Sequence, residues 1–213
     1  LGRLKQAPIK QPNKANATME LHQITGLILA GGRGTRMGTV DKGLQQFRGA
    51  PMALHVMMRL QPQVGSLMIN ANQNLGPYEG FGVAVWPDQI GGFAGPLAGL
   101  HTGLSHCESE YLVTAPCDSP FLPLDLVERL ADALEDKQAD VAMAVTGSGD
   151  QRQPHPVFCL VPSRLLTHLE EFLHKGGRKI DAWTGSLNTV EVGFPDEAAF
   201  RNINSMEELK RYE

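Results

Sequence analysis

Residues 24–44 read ITGLILAGGRGTRMGTVDKGL, a short apolar run followed at once by glycines and cations. Gly31, Gly32 and Gly34 leave backbone N–H groups unobstructed, so a phosphate can approach closely. Arg33, Arg36 and Lys42 place cationic donors beside them, and the combination suits a polyphosphate. Two other phosphate loops are excluded. A Walker A loop requires G-x-x-x-x-G-K-[ST], and no Gly-Lys-Ser/Thr occurs in the chain. A dinucleotide-binding turn needs G-x-G-x-x-G and an acid about 20 residues further on. Here the glycines fall at 32, 34 and 38, and no Asp or Glu lies between Asp41 and Glu79.

A second centre of chemistry lies in VTAPCDSPFLP (113–123), where Asp118 ends an apolar run between prolines that stop strand and helix alike. One carboxylate is enough for Mg²⁺, which completes its octahedron with water and substrate phosphates. An aspartate in this place can also cap the following helix. Cys117 reads as a packed thiol, since no histidine stands near it in sequence. The seven histidines show no H-E-x-x-H or comparable spacing, which leaves no case for structural zinc. INAN (69–72) and WPD (86–88) bring Asn70 and Asp88 to strand ends, where both types are also ordinary turn residues. GGFAGPLAGL (91–100) either lines a bound base or forms a helix entry. In the later half, Arg152, His155, Arg178 and Lys179 could hold a second anionic substrate, with Asn202 and Asn204 bonding a heterocycle. Each is equally a solvated surface residue.

These residues need a scaffold. TGLIL (25–29), SLMIN (66–70), VAVW (83–86), YLVTA (111–115) and VAMAV (141–145) have the length and apolarity of buried strands. Helices are predicted between them: one on Leu54, Met57 and Met58, one over GPLAGLHTGLSH, and one on Val127, Leu130, Ala131 and Leu134. The alternation predicts an α/β fold of three layers, a mainly parallel sheet with ligands at the carboxyl ends of its strands. HPVFCLV (155–161), a helix near 163–174, NTVEV (188–192) and a final SMEELKRY helix opened by Ser205 and Glu208 follow. These are expected to add strands at one sheet edge, in part antiparallel.

Composition bounds the rest. The 213 residues suffice for one core, and the net charge of −4 gives no basic field for nucleic acid. Three scattered cysteines fit neither a disulfide framework nor a zinc site, and no apolar run is long enough to cross a membrane. The expectation is a cytoplasmic protein with one domain over 19–213. Residues 1–18 are polar and without period, and read as an unstructured extension or expression remnant, with Met19 a natural start.

The pattern L-A-G-G-x-x-x-R-M-G-x-x-D-K in Leu29–Lys42 resembles the signature of the molybdenum cofactor guanylyltransferase family of nucleotidyltransferases. It is similar, more loosely, to the L-x-A-G-G loop of sugar-nucleotide enzymes. PCDSPF, and NINSMEEL with Met206 where proline is common, extend the resemblance over nearly all of residues 24–212. It implies a nucleotidyltransferase fold with a Rossmann-like nucleotide-binding half. It implies further that Leu29, Ala30, Gly31, Gly32, Arg36 and Lys42 surround a triphosphate, that Asn70 and Asp88 contact the guanine nucleotide and that Asp118 binds Mg²⁺. Arg152, His155, Arg178, Lys179, Asn202 and Asn204 would face the pterin. The implied reaction moves GMP from GTP to the terminal phosphate of molybdopterin. Other molybdenum cofactor synthesis proteins, acceptor molybdoenzymes or their chaperones are implied partners. A CTP-using enzyme on molybdopterin, or one using a sugar or polyol phosphate, would share the loop and metal site. A nucleotide-sensing module without catalysis would share the fold. NINSMEEL favours the pterin, and Arg36, Lys42 and Asp118 together favour catalysis.

Overall fold

The computed structural model describes residues 19–32, 41–91 and 95–212. The expectation for residues 1–18 therefore lies outside the described residues, as do Arg33, Gly34 and Arg36. Seven strands form one sheet in the order β5-β4-β1-β6-β8-β7-β9. They are β1 (Ile24–Leu29), β4 (Ser66–Asn70), β5 (Ala84–Trp86), β6 (Tyr111–Pro116), β7 (Val141–Thr146), β8 (Gln153–Pro162) and β9 (Thr189–Phe194). A separate ribbon pairs β2 (Gln46–Phe47) with β3 (Ala50–Pro51). β1 lies parallel between β4 and β6, so the chain fills one side of β1 first and then crosses to the other. That reversal opens a crevice at the carboxyl ends of β1 and β6, the usual ligand site of such a sheet.

One face of the sheet is covered by α1 (Met52–Leu60) and α4 (Leu126–Lys137), the other by α3 (Pro96–His106), α5 (Leu166–His174) and α6 (Ile180–Thr184). β1 serves both cores because its side chains alternate: Ile24 and Ile28 join the α1/α4 cluster and Leu27 joins the α3/α5 cluster. α4 buries Val127, Leu130, Ala131 and Leu134, the face predicted from its period. α1 does not follow its prediction. Its buried face is Met52, Ala53, Val56, Met57 and Leu60, while Met58 is 65% exposed, because α1 starts at Met52 directly behind Pro51 and its apolar stripe runs one step out of phase with the expected one.

The later strands also differ from expectation. β9 is an edge strand, but it runs parallel to β7. β8 is antiparallel and sits inside the sheet, between β6 and β7. One of its three prolines is accommodated by a break in the ladder: the register against β7 jumps from Met143↔Cys159 to Ala144↔His155, so Pro156 falls in an irregular stretch where no ladder donor is required. α2 (Leu75–Glu79) and α7 (Met206–Tyr212) complete the described elements. α7 packs Leu209 with Phe47, Met52 and Ile203 in a small third core, which ties the carboxyl-terminal segment to the ribbon.

Candidate active site

The exit of β1 is held by a network of short side chains. Ala30 N donates to Asn70 O at 2.8 Å, which continues the β1–β4 ladder one step past Leu29. Asn70 is buried and its amide donates to Trp86 O at 3.1 Å and to Asp88 Oδ1 at 2.8 Å. Asn72 donates to Gly31 O at 3.0 Å and to Asp88 Oδ2 at 2.8 Å, and its own Oδ1 accepts from Asp88 N at 2.8 Å. Both oxygens of Asp88 are thus occupied by amides, and the Gly31 carbonyl is fixed to the ends of β4 and β5. A Cβ on Gly31 would stand 2.8 Å from Asn70 Oδ1 and 2.9 Å from Asn72 Nδ2, closer than real side chains pack. Gly32, by contrast, has nothing among the described residues within 4 Å of such a position.

Lys42 stands where three segments meet. Its Nζ lies 3.1 Å from Asp118 Oδ2 and 2.5 Å from Asn204 Oδ1. Asp118 follows β6 by two residues and is buried; it lies eight residues before α4 begins at Leu126, so it does not cap that helix. Its carbonyl accepts from Ile203 N at 2.8 Å, and Ser119 Oγ donates to Asn202 Oδ1 at 2.6 Å. The 202–204 segment is therefore sewn to the 118–119 turn from both sides. Glu208 completes the fixture: its carboxylate accepts from Asn204 N at 2.7 Å while its own N–H donates to Ser205 Oγ at 3.1 Å. This is the exchange expected at the entry of α7, with the carboxylate reaching one residue further back than in a regular capping box.

An ammonium has three N–H donors, and Asp118 and Asn204 take two. The third has no partner among the described residues and could meet an anion in the crevice. Asp118 keeps Oδ1 without a hydrogen bond among the described residues, so one carboxylate oxygen remains for a cation. That donor set fits Mg²⁺, which needs few protein ligands beside phosphate, and does not fit a caged metal: among the described residues no three His, Cys, Asp or Glu side chains come together.

The other expected residues are placed as follows. Leu29 O accepts from Cys117 N at 3.1 Å, and burial, with Asp118 adding to it, pushes the Cys117 thiol far above its ordinary range, so it is a neutral packing group. Arg152 pairs with Glu191 on β9, its Nε lying 2.8 Å from Oε2. His155 is stacked on Phe200 at 4.7 Å and shares a 2.8 Å hydrogen bond with Thr146 Oγ1. Arg178 donates to Leu173 O at 2.8 Å and to Gly177 O at 2.6 Å, closing the end of α5. Lys179 is the residue before α6. No hydrogen bond among the described residues joins these four to Lys42 or Asp118. Asn202 and Asn204 do reach that cluster. Asn72 is the residue the sequence reading missed, although INAN carries its signal: it stands two places after Asn70, and such residues share a side of an extended chain.

All three cysteines are free. No helix among the described residues is long and apolar enough to cross a membrane. Residues 26–189 match the family described as the MobA-like NTP transferase domain. A molybdenum cofactor guanylyltransferase from Cupriavidus necator is 59% identical over 191 residues, covering 89% of this chain and 96% of that protein. Its counterpart from Bordetella petrii is 58% identical over 188 residues, covering 88% and 96%. The fold is shared with the crystal structure of molybdopterin-guanine dinucleotide biosynthesis protein A from Archaeoglobus fulgidus, at a TM-score of 0.68 and 24% identity over 89% of this chain and 96% of that one. With its match to this domain over most of its length and its high identity to these relatives, the chain belongs to the MobA-like NTP transferases, within the molybdenum cofactor guanylyltransferase family of nucleotidyltransferase enzymes.

Proposed function

We propose that the chain transfers GMP from GTP to the terminal phosphate of molybdopterin, with Mg²⁺ at Asp118, as a cytoplasmic enzyme. The observation that carries this reading is Lys42 Nζ, which meets Asp118 and Asn204 at the exit of β6 and has no third partner among the described residues. The names of the relatives supply the two substrates.

In the transfer, a phosphate oxygen of molybdopterin attacks the α-phosphorus of GTP. The bond from that phosphorus to the β-bridging oxygen breaks, and pyrophosphate leaves with the electron pair. The attacking group is already an oxyanion, so no general base is required and the work is alignment and charge neutralisation. Gly31, fixed by Asn72, and Gly32 offer backbone amides for the phosphates. Lys42 donates its remaining N–H to a phosphate oxygen, and Asn70 and Asp88 hold the rim where the guanine nucleotide enters. Asn202 and Asn204 present the carboxyl-terminal segment to the pterin, and by the resemblance Arg152, His155, Arg178 and Lys179 would also face it. Arg36 adds a cation to the loop by the resemblance of its motif. When bound, Mg²⁺ draws charge from the phosphate oxygens.

Calorimetric titration with GTP, CTP, ATP and UTP in magnesium, followed by a pyrophosphate-release assay with molybdopterin, tests the reading. GTP preference with pyrophosphate release supports it. CTP preference would make the enzyme a cytidylyltransferase, and absence of turnover with either nucleotide would remove the catalytic reading.

A further inference from the structure

We propose that Tyr78 and Asn74, by holding the carboxylate of Asp41, position Lys42 for transfer; this rests on the guanylyl-transfer reading above. Asp41 is only 8% exposed, and among the described residues no Lys, Arg or His pairs with it. Its charge is met by neutral donors instead. The Tyr78 hydroxyl donates to Oδ1 at 2.6 Å and the Asn74 amide to Oδ2 at 3.1 Å. Burying a carboxylate this way is expensive compared with leaving it in water, and neither donor refunds the full solvation. A structural role alone would be served by an asparagine or an apolar side chain.

The geometry points to what the cost maintains. Tyr78 is fully buried on α2, and its phenol is pushed far above its ordinary range by burial, with Cys117 and Asp41 adding to it, so it remains a donor. Gly43 packs against the same hydroxyl. A Cβ there would run into Tyr78 Oη and lie 3.2 Å from Cys117 Cβ and 3.3 Å from Ala53 Cβ. The two neighbours of Lys42 are therefore both pinned, Asp41 by its side chain and Gly43 by close approach of its backbone. Gln45 Nε2 adds a 3.2 Å bond to the Asp41 carbonyl. With its flanks fixed, Lys42 reaches Asp118 and Asn204 from one direction. Asp41 itself contacts neither of them, which makes Asp41, Tyr78 and Asn74 positioning residues.

The test is pyrophosphate release from GTP and molybdopterin by Tyr78→Phe and Asn74→Gly, each alone and combined with Lys42→Ala. Asn74 has φ +54°, so glycine keeps its backbone and removes only the amide. Tyr78→Phe should lower kcat roughly tenfold and leave KM for GTP within about twofold, and Asn74→Gly should lower kcat about threefold. In the Lys42→Ala background neither should lower turnover further, since the group they position is gone. Equal fractional losses in both backgrounds would assign a general structural role and overturn the proposal, as would undiminished kcat with Lys42 intact. If circular dichroism shows Tyr78→Phe unfolded, Asn74→Gly decides alone by the same comparison. If the unaltered chain releases no pyrophosphate, guanylyl transfer fails as a reading. Crystal structures of the two variants then decide positioning: Lys42 Nζ displaced from Asp118 upholds it, and an unmoved Nζ overturns it.

Discussion

Alanine at Gly31 is a small change with a calculable effect. The added methyl would sit 2.8 Å from Asn70 Oδ1 and 2.9 Å from Asn72 Nδ2, against an ordinary contact beginning near 3.4 Å, so one side must yield by about half an ångström. Asn70 cannot swing away without giving up its own bonds to Trp86 O and Asp88 Oδ1, and it is 2% exposed. The yielding side is Asn72 or the Gly31 backbone, and either motion breaks the 3.0 Å Asn72–Gly31 bond and loosens one of the bonds to Asp88. One or two such bonds are worth about 0.5–1.5 kcal/mol each, and Asn72 is exposed, so about 1–1.5 kcal/mol is expected. For a chain of this size that lowers Tm by roughly 3–5 °C. If the loop must be rebuilt to hold the triphosphate, GTP affinity falls about tenfold. Gly32→Ala is the control, because its methyl meets nothing within 4 Å among the described residues. It should leave Tm unchanged and still weaken GTP, by crowding the face a phosphate approaches. Differential scanning fluorimetry and calorimetry with GTP and magnesium read both quantities. Equal Tm for both variants and the unaltered chain, with Gly31→Ala binding GTP normally, would refute the reasoning about this network.

Asp118→Ala should abolish magnesium-dependent pyrophosphate release; full activity at low magnesium would remove it as the ligand. Asn204→Ala takes away one of the two acceptors of Lys42 and should lower kcat by about tenfold, roughly the worth of one charge-assisted hydrogen bond, with steady-state kinetics as the check. The His155 ring has a pKa below its ordinary 6.5, held down by burial and partly offset by Glu197. Between the lowered value and 6.5 the unfolded chain binds the extra proton and the folded chain does not. The stability this group contributes is therefore present above pH 6.5 and is lost as pH falls through that window. Thermal melts from pH 7.5 down to 5 should show a smaller decline for His155→Phe, which keeps the stack on Phe200. A parallel decline would exclude His155 as a source.

The strands that run as short apolar segments and the face of α4 were legible in the sequence, because local period decides them. Gly31, Lys42 and Asp118 could be singled out in the sequence because residue types that suit phosphate and metal stand close together there, although residues 33–40 between them lie outside the described residues. What sequence did not give depends on distance along the chain. Nothing near Lys42 indicates that Asn204 will accept a hydrogen bond from it, nor that Tyr78 will hold Asp41, since folding alone brings these partners together. The place of β8 inside the sheet is likewise a matter of pairing, and a strand with three prolines reads more naturally as an edge. α1 was misphased because Met58 is apolar yet exposed, and hydrophobicity alone cannot tell the two sides of such a helix apart.

The insertion of β8 between β6 and β7 also sets a timetable for synthesis. A nascent chain that has completed β7 has made both neighbours of a strand that does not yet exist, so the outer edge of β6 stays bare until residues 153–162 emerge. Bare strand edges invite pairing between molecules, which makes products cut short near residue 150 prone to aggregate rather than to act. Asn202 and Asn204 are made later still, so the cluster around Lys42 closes only after residues 202–204 have emerged. A chain released before residue 202 carries Lys42 and Asp118 without the Asn204 that joins them.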